Sequence, residues 1–235
     1  MNLVLLFEDD FVADGRVRLN GRRRQHVASV HRAAAGDELT VGLCGGRIGR
    51  GRVLLVSDDA LELEVTLDRD PPPPLDLTLI LAVPRPKVLN RVIAAATSMG
   101  IKQIHLINAW RVEKSYWSSP RLTEENLRLQ SILGLEQARD TVLPSIALHR
   151  FFRRFAEELP LSTRAFVAHP PARAPLPRGV REPVTLAIGP EGGFIDEEIA
   201  SLERAGFEAV TIGERILRVE TAVAWAVATL SSLPQ

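Results

Sequence analysis

Four consecutive prolines, Pro71-Pro72-Pro73-Pro74, interrupt this 235-residue chain. Proline holds φ at about −65° and has no amide hydrogen, so such a run continues neither a helix nor a central strand and forms a stiff, extended spacer. The chain therefore divides into segments 1–70 and 75–235, each long enough to bury a core of its own. In the first segment, short β-rich runs at Glu38 to Leu43, Gly51 to Val56 and Ala60 to Leu67 are separated by Gly and Asp turns. Leu61, Leu63, Val65 and Leu67 alternate with polar neighbours, the period of a strand with one buried face. A small β-barrel or sheet is expected, with one helix from about Arg24 to Ala35 ending at Gly36.

Beyond the prolines the pattern changes. Apolar runs at Leu77 to Val83, Gln103 to Asn108, Ala165 to Ala168, Val184 to Ile188 and Ala209 to Ile212 alternate with helical stretches at about Val88 to Met99, Thr123 to Arg139, Phe151 to Leu159, Asp196 to Ala205 and Glu220 to Leu233. This alternation predicts an α/β domain with a mainly parallel sheet. Gly100 and Gly206 each follow a helix, where a left-handed cap is expected. The proline-rich segment Pro170 to Pro183 reads as a surface loop.

Composition excludes several classes. A single cysteine, Cys44, rules out a disulfide framework and a Cys-based zinc site, and no metal is expected. The N-terminal apolar run reaches Glu8, Asp9 and Asp10 too soon for a signal peptide, and no apolar stretch approaches the ~20 residues of a membrane span. A soluble, cytoplasmic protein is expected. The formal net charge is zero, but residues 15 to 52 hold nine arginines against Asp37 and Glu38, a local +7. Only three lysines occur in the whole chain, so the arginines reflect either phosphate recognition or a general bias toward arginine.

In open α/β sheets, ligands bind beyond the carboxyl ends of strands, and three of the turns there stand out. One is Ala168-His169-Pro170-Pro171. The second, Ile188-Gly189-Pro190-Glu191-Gly192-Gly193-Phe194, has glycines that allow close backbone approach to a planar ligand. It is neither a dinucleotide fingerprint nor a P-loop, and the acids that follow it disfavour a phosphate there, so the ligand is uncharged or cationic. The plain alternative is a strand-to-helix turn. The third turn, Gly213 to Ala222, sets Glu214, Arg215, Arg218 and Glu220 around Ile216-Leu217, an apolar floor bracketed by charge that suits an adenine ring. The alternative there is a loop with solvated charges.

Taken together, Gly189-Pro190-Glu191-Gly192-Gly193 and Ile216-Leu217-Arg218-Val219-Glu220-Thr221-Ala222 closely resemble the RsmE family of ribosomal RNA methyltransferases, in the SPOUT superfamily. The resemblance extends to His26 through Leu39, to Glu136-Gln137 and to His169-Pro170. It implies a SPOUT-type α/β domain with a deep C-terminal trefoil knot, which connection rules alone would not predict, and a small N-terminal PUA-like RNA-binding β-barrel. It also implies a homodimer that uses S-adenosylmethionine to methylate the nitrogen between the two carbonyls of a uridine in 16S rRNA. The cofactor would lie against His169, Pro170, Ile188, Gly189, Gly192, Gly193, Ile212, Gly213, Ile216, Leu217, Thr221 and Ala222. Arg218 would stabilise charge on the uracil, Glu220 or Glu191 would accept the proton, and Arg22, Arg23, Arg24 and Arg32 would contact RNA phosphates.

Some positions depart from the family pattern. The first catalytic-domain helix reads Ala94-Ala95-Ala96-Thr97-Ser98-Met99-Gly100 where a Lys and a Glu-Leu-Gly ending are usual, Ala138 stands for the usual Gly, and Val219 for the usual Thr. These departures leave room for a noncatalytic RNA-binding or ribosome-assembly factor on the same fold, or for a SPOUT methyltransferase with another RNA target.

Overall fold

The computed structural model describes residues 2–28, 33–159 and 163–231. The chain has a mixed α/β fold with two six-stranded sheets and separates into two compact units, Met1–Pro73 with Ile132–Leu143, and Pro74–Ser131 with Pro144–Gln235.

The first unit holds strands β1 (Val4–Leu6), β2 (Phe11–Ala13), β3 (Arg16–Leu19), β4 (Glu38–Leu43), β5 (Ile48–Val56) and β6 (Leu61–Arg69), in the order β1-β4-β5-β6-β3-β2. All neighbours are antiparallel except β1 and β4. Leu61, Leu63 and Val65 point to one face and join Val4, Leu6, Val17, Leu19, Val41 and Val53 in a core, as the alternation in β6 requires. A side chain at Gly49 would run into the Thr66 carbonyl, so glycine lets β5 lie close on β6 where their register shifts.

The helix of this unit differs from expectation. α1 spans Gly21–His26, starting directly after the extended Asn20, and Ala33 to Gly36 form no helix. The Asp37 carboxylate accepts the Ala34 amide at 2.8 Å and Gly36 sits at φ 98°, a turn that stops any helix from running on to β4. Residues 29–32, within the expected helix, lie outside the described residues.

Residues 132–143 complete the first unit. They include the end of α3 (Glu124–Ala138), which Arg139 closes at φ 57° in a left-handed position usual for glycine. The amides of Asn2 and Leu3 both donate to the Glu136 carbonyl, and the Thr141 hydroxyl donates to the Gly46 carbonyl at 2.6 Å. Leu135 packs with Leu3, Leu5 and Ile48. The Glu136 carboxylate, only 2% exposed, receives both guanidinium nitrogens of Arg22 at 2.9 and 3.0 Å.

In the second unit, β7 (Leu75–Ala82), β8 (Ile101–Ile107), β9 (Ser145–His149), β10 (Arg164–Ala168), β11 (Val184–Ile188) and β12 (Glu208–Val210) form a wholly parallel sheet in the order β12-β10-β11-β7-β8-β9. Helices α2 (Pro86–Ser98), α4 (Phe152–Glu158), α5 (Asp196–Arg204) and α6 (Val219–Leu230) join α3 between or after the strands. Every residue of β11 is buried, as a continuous apolar run covered on both faces should be. Gly100 and Gly206, at φ 85° and 101°, occupy the cap positions expected of them. His105 on β8 and His149 on β9 share a ring-nitrogen contact of 3.0 Å against Phe155, and burial lowers both below the ordinary 6.5, so the pair is neutral at neutral pH.

The segment Pro170 to Pro183 is a largely exposed loop, as expected, but its backbone is tied down. Leu176 is buried, Thr211 exchanges backbone hydrogen bonds with Ala174 and Leu176, and the Gly179 and Val180 amides donate to carbonyls near the end of α6. These partners are distant in sequence, and the proline content gives no sign of them.

The Arg22–Glu136 pair yields a stability prediction. Arg22→Ala leaves a buried carboxylate without its counter-charge, which costs about 2–3 kcal/mol after allowance for the half-exposed guanidinium. A lowered urea midpoint with an unchanged slope is the expected outcome.

Candidate functional site

The carboxyl ends of β10, β11 and β12 open into a cavity of about 560 Å³ within the second unit. Its first wall is the turn after β10, where the His169 amide donates to the Val210 carbonyl at 2.9 Å and the His169 carbonyl accepts from Ala172. Pro170 continues that wall.

The second wall is the glycine turn after β11. The Gly193 amide donates to the Pro190 carbonyl at 2.8 Å, with Gly193 at φ 73°, a conformation that favours glycine. At Gly189 an added Cβ would stand 3.0 Å from the Phe194 nitrogen and 3.2 Å from Gly193, so the turn folds back on itself across a position with no side chain. Three side chains hold it. Glu191 accepts the Arg85 amide at the start of α2 at 2.9 Å, and Arg111 donates to the Gly192 carbonyl at 2.5 Å. The buried Glu198 accepts the Ile195 amide at 3.0 Å with one oxygen and the Trp110 amide at 2.7 Å with the other.

The third wall runs from Thr211 through Gly213 into α6. Ile188, Val219 and Ala222 supply the buried apolar floor, with half-buried Leu217 beside them. Ile216 differs from the sequence expectation. It is 87% exposed and forms part of the rim, because the turn lies outside the sheet and only Leu217 faces the core.

Charge is distributed unevenly around this cavity. Arg218 is the residue before α6, and its carbonyl accepts the Ala222 amide at 2.8 Å. Neither Arg218 nor Arg215 has an ion-pair partner among the described residues, and both are exposed at the rim. Glu220, in the first turn of α6, is held by Arg91 of α2 at 3.0 Å. The cavity thus offers an apolar floor, backbone polar groups along two turns, two free guanidinium groups and one anchored carboxylate.

Most of the residues singled out from sequence meet here. His169, Pro170, Ile188, Gly189, Gly193, Ile212, Gly213, Ile216, Leu217, Ala222, Arg218 and Glu220 all line the cavity. Gly192 is turned toward Arg111, and Thr221 is exposed on α6; neither lines it. The four arginines assigned to RNA phosphates belong to the first unit. Arg22 binds Glu136, Arg23 binds Asp10 through two contacts and the Leu5 carbonyl at 2.8 Å, and Arg24 binds the Ser57 carbonyl and Asp58. Arg32 lies outside the described residues.

Sequence reasoning missed the wall made by Arg85, Val88 and Arg91. The signal was Pro84-Arg85-Pro86, which also follows the carboxyl end of a strand and starts a helix. Among the described residues no group of three or more His, Cys, Asp or Glu could hold a metal.

A family model for an RNA methyltransferase domain matches residues 71–231. The ribosomal RNA small subunit methyltransferase E of Treponema pallidum is 31% identical over 98% of this chain and 90% of its own length. The chain belongs to the ribosomal RNA small subunit methyltransferase E family. A family member from Mycobacterium tuberculosis is 26% identical over 99% of this chain and 93% of its own length. In fold, the chain is similar to the Neisseria gonorrhoeae family member whose crystal structure is bound to S-adenosyl methionine, with a TM-score of 0.76, 23% identity, and coverage of 96% of this chain and 95% of that one.

Within this family member the glycine turn should tolerate side chains unequally. Gly189→Ala forces a methyl against backbone and is expected to cost about 1–3 kcal/mol in urea unfolding. Gly192→Ala meets only the Arg111 side chain, which can move, and should cost less.

Proposed function

We propose that the cavity binds S-adenosylmethionine and that the protein transfers its methyl group to N3 of a uridine in the RNA of the small ribosomal subunit. The observation that carries this reading is the convergence of His169-Pro170, the glycine turn and the Gly213–Ala222 turn on one cavity. It is supported by the naming of relatives that match almost the whole chain and by a bound S-adenosyl methionine in a neighbour of the same fold.

The cofactor supplies an activated methyl on a sulfonium. In the transfer, the bond from sulfur to methyl breaks as the bond from N3 to methyl forms, and the N3 proton must leave to a base. The cavity floor of Ile188, Val219 and Ala222 would seat the adenosine, and the backbone of the two turns would read its polar edge. This arrangement serves alignment at near-attack distance. Arg218, whose guanidinium has no ion-pair partner among the described residues, is free to stabilise negative charge on the uracil carbonyls. Glu220 has one carboxylate oxygen on Arg91, which leaves the other to accept the proton. Glu191 is the alternative base, although its Oε1 already receives the Arg85 amide.

The same reading includes a trefoil knot in the C-terminal turns and a PUA-like role in RNA binding for the first unit, with segments 1–70 and 75–235 as the two domains. A homodimer belongs to it as well. Ala224, Trp225 and Ala228 form an exposed apolar stripe on α6 at helical spacing, and a second copy would cover it. No helix among the described residues is long and apolar enough to cross a membrane, and the proposed site of action is the cytoplasm.

The mechanism is tested at Arg218. Arg218→Ala should lower kcat on small-subunit RNA by about 10²–10³-fold, the scale of losing one preorganised charge contact. Calorimetry should show S-adenosylmethionine affinity unchanged. Near-normal turnover would remove Arg218 from the mechanism.

A further inference from the structure

The cavity leaves the neighbouring end of the same sheet unused. β8 and β9 leave the sheet side by side, with the Asn108 amide donating to the His149 carbonyl at 2.9 Å. Two residues beyond each of these positions a large aromatic ring stands in solvent: Trp110 is 79% exposed and Phe151 72%. Single exposed apolar residues are ordinary, but two such rings on adjoining, anchored connections call for a partner. The anchoring is specific. The Trp110 amide is fixed by the buried Glu198, and the Trp117 indole donates to Asn108 at 2.8 Å. A second cavity, of about 420 Å³, lies between Trp117, Ser118, Ser119, Leu148 and Arg150, and the Arg150 guanidinium lies 5.5 Å from the Trp117 ring centre.

The charge of these connections names the partner. Residues 108–123 and 149–154 carry Arg111, Lys114, Arg121, Arg150, Arg153 and Arg154 against a single acid, Glu113. Arg153 and Arg154 make exposed pairs with Glu157 and Glu158, which hold them weakly, and Arg150 has no carboxylate partner among the described residues. Aromatic faces set among arginines and lysines are the chemistry of single-stranded nucleic-acid binding, in which bases stack on rings and cations follow the phosphates. A second copy docked isologously would set this positive cluster against itself.

The surface is also joined to the proposed catalytic cavity. Arg111 donates to the Gly192 carbonyl of the glycine turn, and Phe152 packs on Phe194 at the end of that turn with ring centres 6.1 Å apart. β9 is three strand spacings from β11, about 14 Å, within reach of nucleotides a few places along a strand.

We infer that Trp110, Phe151 and the Trp117–Arg150 cavity form a stacking platform for the single-stranded RNA bases that flank the nucleotide entering the cofactor cavity. That these bases flank a methylation target rests on the proposed methyl transfer. That the surface stacks single-stranded bases does not.

The experiment compares binding of a single-stranded oligouridylate with an abasic strand of the same length, by the full chain and by the double variant Trp110→Ala, Phe151→Ala. Wild type should bind the base-bearing strand about tenfold or more tightly than the abasic one, and the double variant should lose that preference while its salt dependence is kept. Trp110→Phe with Phe151→Trp should restore it. Calorimetry with S-adenosylmethionine, expected unchanged in the variant, reports on folding and on the methyl-transfer reading separately. If wild type shows the base preference but no cofactor binding, methyl transfer fails and the platform stands. Equal affinity for the two strands in wild type, a preference that survives in the double variant, or a change of oligomeric state in the variant as the source of its loss would overturn the platform.

Discussion

A turn that leaves a fully buried parallel strand must find its partners outside the sheet, and the turn from Gly189 to Ile195 is tied to three other elements. Glu191 accepts the amide of Arg85, the residue before α2, Arg111 reaches back from the connection after β8, and Glu198 of α5 accepts amides from both the turn and Trp110. A buried carboxylate is expensive unless its lone pairs are used, and Glu198 uses both oxygens. The cavity walls follow from these contacts. α2 brings Arg91 to Glu220, α6 begins directly after Arg218, and the floor is whatever apolar surface β11 and α6 leave between them. A site held by such supports is shaped before any ligand arrives.

Charge shows how different a sequence-local sum is from a surface. The +7 of residues 15 to 52 is largely answered within the first unit. Arg22, Arg23 and Arg24 have internal partners, and on the strands Arg16 and Arg18 stand opposite Glu64 and Glu62 while Arg52 stands between Glu38 and Glu64. These arginines fasten the unit together as well as giving it charge. The basic connections after β8 and β9 are inconspicuous in a charge profile because they are separate in sequence, yet they meet at one edge of the second sheet.

The second unit was the more legible. Its central strands β7 and β11 are largely buried and read as near-continuous apolar runs, and α2 to α5 lie within two residues of their expected limits. The three-residue strands β1 and β2 are too short to show a period, β3 alternates arginine with apolar residues inside a charge cluster, and β9 begins directly after Pro144 with no buried residue. The return of residues 132–143 to the first unit depends on Glu136, Leu135 and Thr141 meeting residues far away in sequence, which no local pattern encodes. At the cavity, two turns carried glycine and charge motifs and were readable. Arg91 was not, because a lone arginine on an amphipathic helix resembles any solvated residue until its partner is located. Ile216 misled for the opposite reason, since an apolar side chain on a rim has the same letter as one in a floor.

The reaction proposed for this cavity is methyl transfer to N3 of a uridine in small-subunit RNA. Nucleoside mass spectrometry of that RNA, from cells with and without the intact gene, tests it most directly. One N3-methyluridine is expected to disappear on deletion and to return when the wild-type gene is restored. An unchanged modification profile, or loss of a methyl from a ribose or another base, would contradict it.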